Sequence, residues 1–336
     1  MKLTRFLETV NQFRGKKIAV VGDLMLDSYI WGKVSRISPE APVPVVQVQR
    51  ETCTLGGAGN VMRNIVTLGG EADAYGLIGE DATGNKVLGQ LVEYNIGTGG
   101  VQVTPGRPTT EKQRVIAGPQ QLLRVDYEET GLVDDELRDK ITAALMKKIE
   151  SREVDAIIFE DYGKGLLSEP MLNTLTMAAR GKDILTALDP KPGHPMKVHG
   201  LTVLKPNRRE AFAMANKPYA DRIDPVADDH KLAEVADFLL SEWQPKYLLI
   251  SLSSQGMALF RKDHQPVVIP TLARDVYDVS GAGDTVIATL MLAMAAGASP
   301  VEAAEIANHA AGIVVGRVGT VTVSAAELRE SFKNGV

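Results

Sequence analysis

Asp278-Val279-Ser280-Gly281-Ala282-Gly283-Asp284 runs directly into Thr285-Val286-Ile287-Ala288-Thr289-Leu290-Met291-Leu292-Ala293-Met294-Ala295-Ala296, and Gly297 follows. The second stretch is apolar on every side and rich in Ala, Leu and Met. It reads as a buried helix with Gly297 as its C-terminal stop. A glycine-rich turn opening such a helix leaves backbone N–H groups unpaired at the positive end of the helix dipole. That is an anion site, and phosphate is the usual anion. Asp284 sets this turn apart from a plain phosphate cradle. A carboxylate where a phosphate docks repels it, unless its task is to take a proton from the attacking group. Gly281, Ala282 and Gly283 then neutralise a transferring phosphoryl group while Asp284 accepts the proton of an alcohol. On this stretch alone a plainer alternative stays open, a capped buried helix with Asp284 as its N-terminal carboxylate.

Upstream, strand-like runs alternate with helical ones, the mark of a doubly wound parallel sheet. Residues 17–21 end in Gly22-Asp23, residues 156–159 in Glu160-Asp161, and residues 184–188 in Asp189-Pro190-Lys191. Residues 202–204 end in Lys205-Pro206-Asn207, and residues 247–250 in Ser251. In such folds ligands bind beyond the carboxyl ends of the strands, and here Asp23, Asp27, Asp161, Lys164, Asp189, Lys191, Asn207 and Glu210 gather there. Residues 72–78 read as a further strand, and residues 84–94 and 134–151 as helices. Ser299-Pro300-Val301-Glu302 is a capping box with proline at the first helical position, opening a small-residue helix through Asn308. Two β-rich segments, about 28–55 and 101–127, interrupt this order. The first is punctuated by Pro39, Pro42 and Pro44, which suits an edge or protruding sheet. Together they form a small accessory sheet, a lid over the mouth of a single domain covering residues 1–330.

The chain has 336 residues, enough for a substantial core, and a net charge of −5, which gives no global attraction for nucleic acid or anionic membrane. Its single cysteine, Cys53, excludes an internal disulfide, and its 5 scattered histidines argue against a zinc site. No apolar run has the length of a membrane span, and residues 1–7 lack a signal-peptide core, so a cytoplasmic location is expected. Leu3, Phe6, Leu7, Val10 and Phe13 keep the spacing of an amphipathic helix docked on the domain. No GxxxxGK[ST] is present, nor the HRD and DFG pair of protein kinases. Gly57-Ala58-Gly59 has Met62 where a dinucleotide fingerprint needs its third glycine, so an oxidoreductase is disfavoured. What remains is phosphoryl transfer through an anion hole and a carboxylate base.

Gly281-Ala282-Gly283-Asp284 after Asp278 resembles the signature of the ribokinase-like sugar kinases, the phosphofructokinase B family. Gly56-Gly57…Asn60 is similar to that family's glycine pair and asparagine, which hold sugar hydroxyls. Asn207-Arg208-Arg209-Glu210 resembles its NxxE motif, which places magnesium and the ATP phosphates. Gly22-Asp23-Leu24-Met25-Leu26-Asp27, Ser35 to Val46, Asp161-Tyr162-Gly163-Lys164-Gly165 and Val276 to Gly281 are similar to one subgroup. It is the kinase half of bifunctional heptose-7-phosphate kinase/heptose-1-phosphate adenylyltransferases of lipopolysaccharide inner-core synthesis.

The resemblance implies a three-layer, mostly parallel sheet with a β-sheet lid, ATP and Mg²⁺ as cofactors, and phosphorylation of D-glycero-β-D-manno-heptose 7-phosphate at O1. No nucleotidyltransferase motif follows the kinase region, so a stand-alone kinase is expected. The resemblance makes Asp284 the base and Gly281, Ala282 and Gly283 the anion hole. Asp27, Gly57 and Asn60 become sugar ligands, and Asp161 and Lys164 line the sugar or phosphate path. Asn207, Glu210, Asp189, Lys191, Ser251, Gly256 and Asn308 surround ATP, with Glu210 on Mg²⁺ through water. A monovalent cation such as K⁺ is implied beside Asp278 and Ser280, although Val323 stands where the family pattern expects a polar ligand. A phosphorylated acceptor needs a second cationic pocket, for which Lys112 and Arg114, with Arg124 behind them, are the candidates. Lid sheets of two chains clasping would make a homodimer. A kinase for another sugar or nucleoside, and a non-catalytic sugar- or nucleotide-binding regulator, are the alternatives.

Overall fold

The computed structural model describes all residues except 119, 195, 273–275 and 335–336, together with the side chain of 334. The chain opens with α1 (Leu3–Asn11), β1 (Lys17–Gly22), β2 (Leu24–Ile37), β3 (Pro44–Gly57), α2 (Ala58–Thr67), β4 (Glu71–Gly79) and α3 (Ala82–Glu93). It continues through β5 (Gly97–Thr104), β6 (Thr110–Ala117), β7 (Gln120–Tyr127), α4 (Asp135–Glu150), β8 (Ala156–Glu160), α5 (Glu169–Arg180) and β9 (Leu185–Asp189). The rest comprises β10 (Val203–Leu204), α6 (Arg208–Met214), α7 (His230–Glu242), β11 (Tyr247–Ser251), β12 (Met257–Phe260), β13 (Val267–Ile269), α8 (Ala282–Ala295), α9 (Pro300–Val315) and α10 (Ala325–Asn334).

Nine strands form the main sheet in the order β13-β12-β11-β10-β9-β8-β1-β4-β5. All neighbours pair in parallel except β11–β12 and β12–β13. Side chains alternate along each strand, so β1 sends Ile18 and Val20 into one core and Ala19 and Val21 into the other. The first core is closed by α1, α2, α3, α8, α9 and α10, the second by α4, α5, α6 and α7. Three layers result, as expected from continuous apolar strands that need cover on both faces. After β1 the chain builds outward to β4 and β5, then returns to the other side of β1 with β8. The strand order therefore reverses between β1 and β8, and a crevice opens there at the strands' carboxyl ends. Among the described residues no helix is long and apolar enough to cross a membrane.

The second sheet has four strands in the order β3-β2-β6-β7. It is the expected lid, with one correction. Residues 101–104 lie in β5 and pair with β4 in the main sheet; the lid's second segment begins only at Thr110. Alternation alone did not distinguish β5 from the lid strands, because an edge strand with one covered face carries the same pattern. Residues 114–117 take an inner position in this sheet. They lie in β6, which pairs with both β2 and β7, and the edges fall to β3 and β7. The proline-bearing segment does supply an edge, β3.

Candidate active site

The glycine turn begins α8 earlier than the sequence suggests: Gly281 is the N-cap, and Ala282, Gly283 and Asp284 form the first turn. Gly281 has φ +76, and a Cβ there would come within 2.7 Å of Asn60 Nδ2. Only glycine suits both the left-handed backbone and the close approach. The amides of Gly281, Gly283 and Asp284 have no backbone acceptor among the described residues, whereas Ala282 N–H donates to Val279 O at 3.2 Å. The cradle therefore has three free donors at a helix N-terminus, with the Ala282 amide turned into the loop. Of the three residues expected to form the anion hole, Gly281 and Gly283 have the unengaged amides.

Asp284 is buried, with both carboxylate oxygens engaged. Asn60 Nδ2 donates to Oδ2 at 2.8 Å and the Tyr162 hydroxyl donates to Oδ1 at 2.7 Å. Asn60 comes from the first turn of α2, which Gly57 starts with a left-handed backbone at the end of β3. Burial raises the Asp284 pKa, and the bonds from Asn60 and Tyr162 oppose that shift. Beside the turn stands Lys205, an assignment the sequence reading missed. Its Nζ lies 3.6 Å from the position a Gly283 Cβ would take, and it pairs with Asp189 Oδ2 at 2.7 Å. Burial works against the Lys205 charge, but Asp189 outweighs it and holds the ammonium above its ordinary range. Glu160, at the end of β8, is driven well up by burial and by Asp189, so it favours the neutral form. In the sequence Lys205 directly follows a strand-like run, as Asp189 does, but only the packing shows that it faces a buried carboxylate.

Asn207 and Glu210, expected beside ATP, cap α6 reciprocally. Asn207 Oδ1 accepts from Glu210 N–H at 2.9 Å, and Glu210 Oε2 accepts from Asn207 N–H at 2.7 Å. Ser251 bridges to Asn207 at the next strand end, and its amide donates to Pro206 O. Lys191 is exposed beyond β9. Gly256 shapes the turn before β12, where its carbonyl accepts from Leu252 N–H. Asn308 Nδ2 donates to Pro270 O at 2.7 Å, so α9 anchors the segment after β13. No group of three or more candidate ligand side chains clusters for a metal among the described residues. Glu210 lies near Asp189 and Lys205. Asp278 serves the loops: Oδ1 accepts from Ser280 N–H and Oδ2 from Gly319 N–H. Against partial burial, these amides hold its carboxyl below the usual range. Val323 is fully buried in the core, and its side chain carries no polar group.

Asp27, expected as a sugar ligand, is buried and its Oδ1 pairs with Arg114 Nη1 at 2.7 Å. Gly56 leaves space for Asp27 Oδ2, where a Cβ would come within 2.6 Å. The Arg114 guanidinium also lies 5.3 Å from the Tyr29 ring centroid, and the Tyr29 hydroxyl reaches Thr320 Oγ1 at 3.3 Å. The lid thus touches the loop beside Gly281. The other candidate cations are engaged by lid carboxylates. Lys112 pairs with Asp126 and Glu128, Arg124 with Asp126, and Lys164 with Glu128. Asp161 Oδ1 accepts from Gly163 N–H, and burial raises its pKa. Asn60, Asp284, Lys205 and the amide turn therefore lie together, and Asp27 is linked to them through Arg114, Tyr29 and Thr320.

Residues 15–327 match the pfkB family of carbohydrate kinases. The chain belongs to this family. As a pfkB carbohydrate kinase it is 41% identical over 325 residues to the bifunctional protein HldE of Desulfatibacillum aliphaticivorans, a match covering 97% of this chain and 65% of that protein. It is 43% identical over 320 residues to the bifunctional protein HldE of Caulobacter sp. strain K31, covering 94% and 62%. The chain thus spans less than two thirds of these relatives' length. Among solved structures, Escherichia coli phosphofructokinase-2 in complex with potassium superposes with TM-score 0.74 at 18% identity, covering 96% and 99% of the two chains. Arabidopsis thaliana ribokinase complexed with ribose and ATP gives 0.71 at 18%, covering 95% and 99%. At these identities the likeness is one of fold, the ribokinase-like layers and lid expected from the sequence.

Proposed function

We propose that this sugar kinase transfers a phosphoryl group from Mg–ATP to O1 of D-glycero-β-D-manno-heptose 7-phosphate, giving the 1,7-bisphosphate. The observation that carries the transfer is the placement of Asp284, between an asparagine on the sugar side and a lysine and free amides on the phosphate side. The acceptor follows from the resemblance of the segments around Asp27, residues 35–46 and Tyr162, supported by the relatives named HldE.

The sugar enters between Asp27, Gly57 and Asn60, with its anomeric hydroxyl toward Asp284. Asp284 takes that proton late, since the transition state is loose and the oxygen gains acidity only as the bond forms. The amides of Gly281 and Gly283 and the Lys205 ammonium meet the charge on the transferred group. Asn207 and Glu210 would hold Mg–ATP, and the metal would supply neutralisation of phosphate charge. Lys191, Ser251, Gly256 and Asn308 shape the nucleotide end. Lid closure excludes water that would otherwise hydrolyse ATP. The acceptor's own phosphate draws Arg114 away from Asp27, which frees that carboxylate for a sugar hydroxyl; Lys112, Arg124 and Lys164 add positive charge nearby. K⁺ beside Asp278 and Ser280 is the optional ion.

The outward lid face carries exposed Val34, Val48 and Leu123, and a second copy covering it makes a homodimer. The acceptor is tested by supplying ATP with heptose 7-phosphate, ribose, fructose 6-phosphate and adenosine, and locating the new phosphate. Turnover highest with the heptose phosphate, modified at O1, is expected. Preference for an unphosphorylated acceptor would overturn the substrate assignment.

A further inference from the structure

Tyr162 stands two residues past the end of β8. Its hydroxyl donates to Asp284 Oδ1 at 2.7 Å, the length of a charge-assisted O–H···carboxylate bond. Asn60 holds the other oxygen at 2.8 Å from a different element, so the two donors together fix the carboxylate plane. The ring is itself placed by its loop. Tyr162 N–H and Lys164 N–H both donate to Asp23 Oδ2, at 2.9 and 3.1 Å, and Gly163 N–H donates to Asp161 Oδ1 at 2.8 Å. A buried carboxylate at the end of β1 thus clamps the turn that carries a phenol to the base.

We propose that Tyr162 is a positioning residue for Asp284: its hydroxyl fixes the carboxylate's orientation and stabilises its ionised form, leaving the remaining lone pairs for the acceptor hydroxyl. The proposal rests on Asp284 being the base, and the identity of the acceptor does not enter.

The surroundings show why such a donor is needed. Asp189 from β9 opposes ionisation of Asp284 and Lys205, after β10, favours it, while the charge of Asp284 in turn helps to keep Glu160 from β8 neutral. Burial is the largest influence and acts against the charge. Asn60 from α2 and Tyr162 are the direct donors that offset it. Burial and the charge of Asp284 also drive the phenol well above its ordinary value, so it remains a donor across the working range.

Tyr162→Phe removes the donor and keeps the ring. The acidic limb of kcat/KM then moves up by about one pH unit, and the plateau kcat falls roughly ten-fold. A residue that only packs would lower the rate evenly at every pH and leave the midpoint in place. The second readout needs no turnover: the ¹³C carboxyl titration of Asp284, assigned by its loss in Asp284→Asn, shifts upward in Tyr162→Phe. Replacing Tyr162 with 3-fluorotyrosine, a stronger donor of nearly the same shape, shifts it downward and covers the case of a poorly folding phenylalanine variant. Unmoved midpoints would overturn the proposal. Normal turnover by Asp284→Asn would instead remove the base assignment, while the carboxyl titration would still report the Tyr162 bond.

Discussion

At the scale of single residues, the pair to probe is Asp27 and Arg114. A buried ion pair costs desolvation on both sides and is lost at high cost when one partner goes, so Arg114 leaves Asp27 only for a stronger anion. Arg114→Met is expected to raise KM for the phosphorylated acceptor by about 10–100-fold, the loss of one charge-assisted contact or two, with KM for ATP unchanged. Initial-rate kinetics with both substrates varied check this; a rise in the ATP constant alone would put Arg114 on the nucleotide side. Much of this site was legible in the residues themselves. Asp284, Asn60, Asn207 and Glu210 sit at turns whose chemistry shows in the spelling, glycine runs and caps. Lys205 and Tyr162 were not assigned, because a lysine and a tyrosine beside a strand end look alike whether they face solvent or a buried carboxylate, and only the packing of β8, β9 and β10 decides.

At the scale of elements, the hinge between chemistry and fold is the start of α8. Gly281→Ala places a methyl against Asn60 Nδ2 and imposes a left-handed backbone on an L-residue, a cost of about 1–2 kcal/mol. Activity is expected to fall well beyond what that stability change explains, because Asn60 is pushed off Asp284. Parallel thermal-melting and rate measurements separate the two, and a loss of stability without a loss of rate would contradict the close coupling. The lid offers a second test. Its outward face is apolar at Val34, Val48 and Leu123. Leu123→Asp is expected to turn a dimer into a monomer in light scattering, and a monomeric unsubstituted protein would remove the clasp. The lid's extent was only partly legible: β5 and β6 are both short extended runs, and which sheet each joins depends on pairing far away in the chain.

At the scale of the whole molecule, the parallel order was readable from the recurrence of polar residues after each apolar run, and the reversal between β1 and β8 puts those ends in one crevice. Gathering buried carboxylates there affects stability. Burial pushes Asp23 up to about 6 from its ordinary 3.8, so the native state binds this proton more tightly than the unfolded chain does. Its contribution is full below the unfolded value and is lost as pH rises through about 6, a decline of about 3 kcal/mol. Asp23→Asn is expected to remove that decline between about pH 4 and 6.5 in urea titrations; parallel profiles for the two proteins would contradict it. Phosphoryl transfer in this chain is proposed to depend on Asp284 as proton acceptor. The direct measurement is turnover of Mg–ATP with heptose 7-phosphate by Asp284→Asn, alongside nucleotide affinity by calorimetry. The account predicts kcat lower by about 10²–10⁴ with nucleotide affinity kept; a variant turning over near the unsubstituted rate would contradict it.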